Sequence, residues 1–202
     1  MCVQSPWEKA LAFHGHVCPG LVLGFRAAEI GLRELEIELA AAQGAALVCW
    51  VENRACAVDA VQAVTGCTLG KANLVVADHG KQVFTFARRD SGAAVRVSLK
   101  RFDFGQDELA ALQERVLAGG GAAESKALAR KREEISDFLL EMPEGELFDV
   151  RPVTVQLPPP QRVKTMTVCA SCGEGVFEGW TRERDGRMLC PPCASAAGGW
   201  EQ

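Results

Sequence analysis

The chain has 202 residues, 48% of them apolar and 24% charged, an ordinary globular balance with room for one core domain and a small appendage. Its net charge of −4 gives no general pull toward nucleic acid, and its apolar runs are too short to span a bilayer. Residues 1–6 lack a basic segment followed by an apolar one, so no export leader is read, and nine cysteines in such a chain point to a reducing cytoplasm with thiols used for metal or redox work.

Ser5-Pro6 joins a good N-cap to a residue favoured at the first helical position, and predicts a helix to about Phe13. Residues 14–18 form a short break. Pro19 opens a longer helix, read to about Ala42, with Leu21, Phe25, Ala28, Leu32, Leu35 and Leu39 as its apolar stripe and Gly44 as its stop. Val22, Ile30 and Ile37 fall outside that stripe, and this second apolar face predicts a homodimer. Residues 46–52 read as a strand and 56–65 as a helix stopped by Gly66. Strands follow over 74–77, 82–88 and 94–101, joined by turns at Asp78-His79-Gly80-Lys81 and Asp90-Ser91-Gly92. Helices are read over 107–117 and 124–142, then an extended stretch over 147–157. Pro158-Pro159-Pro160 suits neither a helix nor a sheet interior, and marks a linker over 158–164. The fold class is therefore α+β: helices packed on a mainly antiparallel sheet over 1–157, followed by a small four-cysteine zinc-binding domain over 165–202.

That last module carries Cys169-x-x-Cys172 and Cys190-x-x-Cys193, with seventeen residues between the pairs. Each pair can form a knuckle presenting two thiolates, and the spacer suits a hairpin that returns the second pair to the first. Gly173 and Gly175 follow the first pair, where a tight turn needs positive φ. Two disulfides are the competing reading, which the absence of any secretory feature disfavours. Four thiolates close a zinc coordination sphere, so this metal is expected to fold the module and leave no position for chemistry.

The chemistry is expected in the core. Phe13-His14-Gly15-His16-Val17-Cys18-Pro19-Gly20 places two histidines and a cysteine at i, i+2 and i+4. In an extended segment the three share one side. Pro19 makes Cys18 the N-cap of the long helix, where the helix dipole should lower its thiol pKa and favour both nucleophilic attack and metal binding. Imidazole beside thiolate suits zinc, iron or nickel. Cys56 starts the next helix with Asp59 one turn on. His16, Cys18 and Cys56 are expected to converge on one ion with a position left open, with His14 or Asp59 behind them. The alternative is a cleft of reduced thiols without metal. Cys67 lies eleven residues past Cys56, too far along a continuous helix for one ion, so it belongs to another site or arrives from a second subunit. Cys56 and Cys67 read equally well as small buried hydrophobes. Gly66-Cys67-Thr68-Leu69-Gly70-Lys71-Ala72 fails as a phosphate loop: the glycine spacing is short by one and no hydroxyl follows Lys71. Lys71 remains a candidate anion contact, and His79 reads as an exposed turn residue.

Two of these segments together resemble the E-subunit family of formylmethanofuran dehydrogenase. They are His14-Gly15-His16-x-Cys18-Pro19-Gly20-Leu21 and Cys56-Ala57-Val58-Asp59-Ala60-Val61-Gln62, followed by Thr65-Gly66-Cys67-Thr68-Leu69-Gly70-Lys71-x-Asn73. The resemblance covers residues 5–157. It implies an α+β domain that dimerises, with histidines and cysteines gathered in a cleft, and an association with the molybdenum or tungsten oxidoreductase that reduces carbon dioxide onto methanofuran. Many members carry a C-terminal treble-clef or ribbon-like zinc finger. The matching positions are His14, His16, Cys18, Cys56, Asp59, Cys67 and Lys71. Of these, Cys18, His16, Cys56, Asp59 and Lys71 are the candidate catalytic residues. His14, His16, Cys18, Cys56 and Cys67 are the candidate ligands of a second transition metal. Two functions follow: a metal-dependent accessory subunit of a redox enzyme, or a regulatory protein whose zinc module docks a protein or nucleic acid. For the second, Trp180, Arg182, Arg184 and Arg187 offer a surface, diluted by Glu174, Glu178, Glu183 and Asp185.

Overall fold

A computed structural model describes residues 4–38, 46–160 and 165–195. The chain divides into two compact units, Met1–Pro159 and Pro160–Gln202.

In the first unit, helix α1 spans Pro6–His14. The Ser5 hydroxyl accepts from the Glu8 N–H and the Glu8 carboxylate accepts from the Ser5 N–H, a reciprocal cap. Gly15, at φ 91°, ends the helix in the left-handed region. Helix α2 runs Pro19–Glu34, shorter than the expected end near residue 42. The stop is a Schellman cap. Glu36 takes φ 54°, its N–H bonds the Arg33 carbonyl, and the Ile37 N–H bonds the Leu32 carbonyl. The left-handed position holds glutamate instead of glycine, so composition does not announce it. Leu39 and Gly44 lie outside the described residues. The second apolar face of α2 is also used within the chain: Val22 and Ile30 are both fully buried, so neither remains for a partner subunit.

Strand β1 (Leu47–Val51) leads into helix α3 (Ala57–Thr65), which crosses over to β2 (Leu74–Val76), paired parallel to β1. Strands β3 (Val83–Arg88), β4 (Ala94–Leu99) and β5 (Phe148–Pro152) add antiparallel neighbours, in the order β2-β1-β3-β4-β5. Between β4 and β5 lie α4 (Gln106–Leu117), α5 (Ala122–Glu141) and a short α6 (Glu144–Leu147). The α+β reading holds, with one parallel pair in a mainly antiparallel sheet. The Arg26 guanidinium donates to the carbonyls of Leu139 and Met142, tying α2 to the end of α5. At the end of β1, the buried Glu52 carboxylate bonds Arg96 of β4 and His79. Burial works to raise that carboxyl, but the bonds from Arg96 and His79 outweigh it and hold it below its ordinary value.

Two glycines set how closely α2 packs. A Cβ built at Gly24 would stand 2.1 Å from the Ala57 carbonyl oxygen at the start of α3, and one at Gly31 would stand 2.2 Å from the Phe86 ring on β3. One turn before Gly24, a Cβ at Gly20 would meet the Cys56 Cβ at 3.0 Å. Helix α2 therefore lies with bare backbone against the first turn of α3 and against the sheet.

The second unit contains two hairpins, β6 (Met166–Val168) with β7 (Gly175–Phe177) and β8 (Arg182–Arg184) with β9 (Arg187–Leu189), then a helical turn α7 (Pro191–Ala194). Among its described residues the buried apolar cluster is only Cys169, Leu189 and Cys190. So small a core needs a cross-link or a metal. Gly173 does take φ 77°, as a knuckle requires, whereas Gly175 sits in β7 beneath the Met166 side chain.

In an ordinary helix interior, alanine in place of glycine stabilises by about 1 kcal/mol. At Gly24 the backbone clash reverses the sign. Gly24→Ala should destabilise the chain by about 2 kcal/mol or more, whereas Gly145→Ala, with nothing within 4 Å, should change stability by less than about 0.5 kcal/mol in urea unfolding.

Candidate metal centres

The four cysteines of the second unit come together as their spacing required. The Sγ atoms of Cys169, Cys172, Cys190 and Cys193 all lie within 4.8 Å of one another, with Cys172 and Cys190 at 3.8 Å. All four are free thiols. The backbone N–H groups of Cys172, Cys190 and Ser171 point at the Cys169 sulfur and hold its thiol at about 6, in the thiolate range that a metal needs. The arginines of this unit serve its own backbone: Arg182 donates to the carbonyls of Trp180 and Thr181, Arg184 to that of Ala194, and Arg187 to that of Ala170 inside the first knuckle. The surface expected to dock a protein or nucleic acid thus also braces the knuckles and the final turn.

The core cluster forms where three helices meet. The α1 terminus supplies His14, the break supplies His16, and Cys18 caps α2, its sulfur accepting the Leu21 N–H at 3.4 Å. One ligand atom from each of His14, His16 and Cys18 lies within 4.8 Å of the others. His14 Nδ1 is 2.8 Å from the Asp59 carboxylate and His14 Nε2 is 3.5 Å from the Cys18 sulfur. With Nδ1 donating to Asp59, the Nε2 lone pair faces the thiol. A carboxylate behind an imidazole in this way orients metal-ligating histidines. The two imidazoles lie 4.5 Å apart between centroids. Burial, then the neighbouring His14 and Arg132, push His16 below its ordinary value, which favours its neutral, metal-binding form. The set of two imidazoles and one thiol fits a borderline metal such as zinc and leaves a tetrahedral position for another ligand.

Other sequence candidates fall in different places. Cys56 occupies the N-cap position of α3 without a side-chain capping bond, beside Cys18, and lines an adjoining cleft, but it is not among the three residues whose ligand atoms share that 4.8 Å reach. The group within that reach contains His14, to which Asp59 is bonded. Cys67 lies beyond the opposite end of α3, about 13 Å away by helical rise, fully buried with its thiol on the Leu47 carbonyl and Cys49 alongside. Lys71 donates to the Gly66 carbonyl and so caps the C-terminus of α3. His79 is bound to Glu52, not to the cluster. The sequence reading missed Arg132 near His16 because it lay in a charge run that looks like a solvated helix face.

One electrostatic expectation is reversed. Cys18 does sit at a helix start, but burial pushes its thiol up to about 11 against the Leu21 N–H that donates to it, and nearby Cys56 adds to the rise. At 5% exposure, desolvation outweighs the helix end. A bound cation would return this thiol to thiolate.

Two outcomes follow. In metal-free protein at neutral pH, iodoacetamide should label the partly exposed Cys56 ahead of Cys18, read by peptide mass spectrometry. A chelator strong enough to strip the second unit should unfold residues 165–195 and leave the circular dichroism of the first unit intact, because the two are separate compact units.

Comparison with known proteins agrees with this architecture. A family model described as "FmdE, Molybdenum formylmethanofuran dehydrogenase operon" matches residues 13–149. A probable S-adenosyl-L-methionine-binding protein of Archaeoglobus fulgidus is 35% identical over 195 residues; the match covers 93% of this chain and 52% of the relative, so the chain spans about half the relative's length. The crystal structure of a tungsten formylmethanofuran dehydrogenase FmdE-like protein from Syntrophus aciditrophicus has a TM-score of 0.55 at 23% identity, covering 95% of this chain and 91% of that one, and so shares its fold. The match over 13–149 takes in every donor of the core cluster, and the chain belongs to the FmdE family.

Proposed function

We propose that this chain is a metal-binding FmdE protein whose core cluster holds a working transition metal, and that it serves as an accessory subunit beside a molybdenum or tungsten oxidoreductase of the formylmethanofuran dehydrogenase type. The observation that carries the reading is the convergence of His14, His16 and Cys18 within 4.8 Å, with Asp59 bonded behind His14. Three protein ligands are the pattern of a site that keeps a position for substrate or for a partner's group. When bound, the ion would supply Lewis acidity at that open position. Asp59 holds the His14 ring, the Leu21 N–H steadies the Cys18 sulfur, and Cys56 stands at the cleft wall as a second thiol within reach of a bound molecule.

The four-cysteine unit is proposed to hold a structural zinc. The association with oxidoreductase subunits is supported by the family's description, and a homodimer by the family resemblance alone. The proposed cytoplasmic setting rests on the free thiols. Among the described residues no helix is long and apolar enough to cross a membrane. A second reading has one observation behind it: the Archaeoglobus relative is described as probably binding S-adenosyl-L-methionine, which would place a nucleoside-sized ligand in the cleft beside Asp59.

Metal analysis of the gel-filtered chain should find two ions. Cys18→Ser should retain only one, and Asp59→Ala should weaken the core site about 10- to 100-fold while sparing the other. One ion per chain, unchanged by Cys18→Ser, would refute the core metal.

A further inference from the structure

The cleft that reaches His14 and Cys56 encloses about 550 Å³, a volume suited to a small organic molecule. Its remaining wall is Asn53, Arg54, Ala55, Val58, Asp59, Leu69 and Val76. The polar side chains of this wall are already engaged. The Asn53 amide donates to the Lys81 carbonyl and to Gln82, and its oxygen accepts from the Ala55 N–H. Arg54 pairs with Asp78 at 3.2 Å, and Asp59 is bonded to His14. Lys71, the candidate anion contact, is tied to the Gly66 carbonyl and does not line the cleft.

The apolar residues remain. Val58 and Val76 are partly buried in the core and also line the cleft. Leu69 is 65% exposed at its rim. A braced loop holds it there: the Thr68 N–H bonds Asn73 Oδ1, the Lys71 N–H bonds the Thr68 hydroxyl, and the Ala72 N–H bonds the Leu69 carbonyl. A leucine kept in water by so many bonds at the lip of a concave apolar wall is placed to touch a ligand.

We infer that the cleft takes a small organic molecule with an apolar body and a metal-chelating group at one end. The body lies on Val58, Leu69 and Val76, and the metal-binding end approaches the ion from the side of His14, the member of the cluster that lines the cleft. This rests on the core metal reading above. Phosphorylated and other polyanionic molecules are disfavoured, because the lining sets one guanidinium, Arg54, against the carboxylate of Asp59.

The test titrates the full zinc-loaded chain by calorimetry with acetohydroxamate and hexanohydroxamate, with metal content measured on the same sample. Four added methylenes, even half buried, should tighten binding by at least about tenfold. Leu69→Asp should abolish that gain while retaining two ions per chain. S-adenosylmethionine at millimolar concentration should not displace hexanohydroxamate. With two ions per chain, three results would overturn the ligand class and leave the metal site standing: no hydroxamate binding, a gain that is absent or that survives Leu69→Asp, or displacement by S-adenosylmethionine. One ion per chain would overturn both.

Discussion

The first unit depends on the contact between α2 and α3 at Gly20 and Gly24. Gly24 lets the backbone of α2 lie directly on Ala57, and Gly20, one turn earlier, lets it pass the Cys56 side chain. That approach sets the N-terminal ends of the two helices side by side, with Cys18 capping one and Cys56 at the start of the other. Helix α1, packed on α3, then ends where His14 meets Asp59 of α3. The metal donors are thus a consequence of helix packing. A side chain at Gly24 would push α2 off α3 and separate Cys18 from the wall that desolvates it.

Desolvation and metal binding work on the same thiol in opposite directions. Burial keeps Cys18 protonated and unreactive in the absence of a cation. A divalent ion reverses this, because its charge replaces the lost hydration of the thiolate. His16, biased toward its neutral form, needs no such help. The cluster is therefore poor as a free nucleophile and good as a metal site. The second unit solves a different problem. Among its described residues only Cys169, Leu189 and Cys190 are buried, too few to hold two hairpins without a cross-link or a metal, and its backbone N–H groups lower the Cys169 thiol in advance of any ion.

Much of this was legible in the sequence because it rests on local chemistry. The Ser5-Pro6 cap, the Gly66 stop, the strand alternation and the spacing of the two Cys-x-x-Cys pairs each follow from rules that act within a few residues. The spacing of His14, His16 and Cys18 announced a cluster for the same reason. What the sequence did not disclose depends on distant partners. The Schellman cap at Glu36 uses a residue that seldom takes left-handed φ, so the helix was read too long. Val22 and Ile30 looked like a spare face only because α3, α5 and the sheet that cover α2 could not be seen. The pKa of Cys18 was inferred from its helix end, and the burial that overrides it belongs to tertiary packing. Cys67 and Lys71 sit in a motif as dense as the others, yet they secure the far end of α3.

Anomalous diffraction from crystals of the full chain, collected at the absorption edge of the metal found in solution, tests the core assignment most directly. A peak is expected about 2.0–2.3 Å from His14 Nε2, a His16 ring nitrogen and Cys18 Sγ, with a non-protein ligand completing the sphere and Asp59 still on His14 Nδ1. Anomalous density confined to the four cysteines of the second unit, with His14, His16 and Cys18 bare in metal-replete crystals, would contradict it.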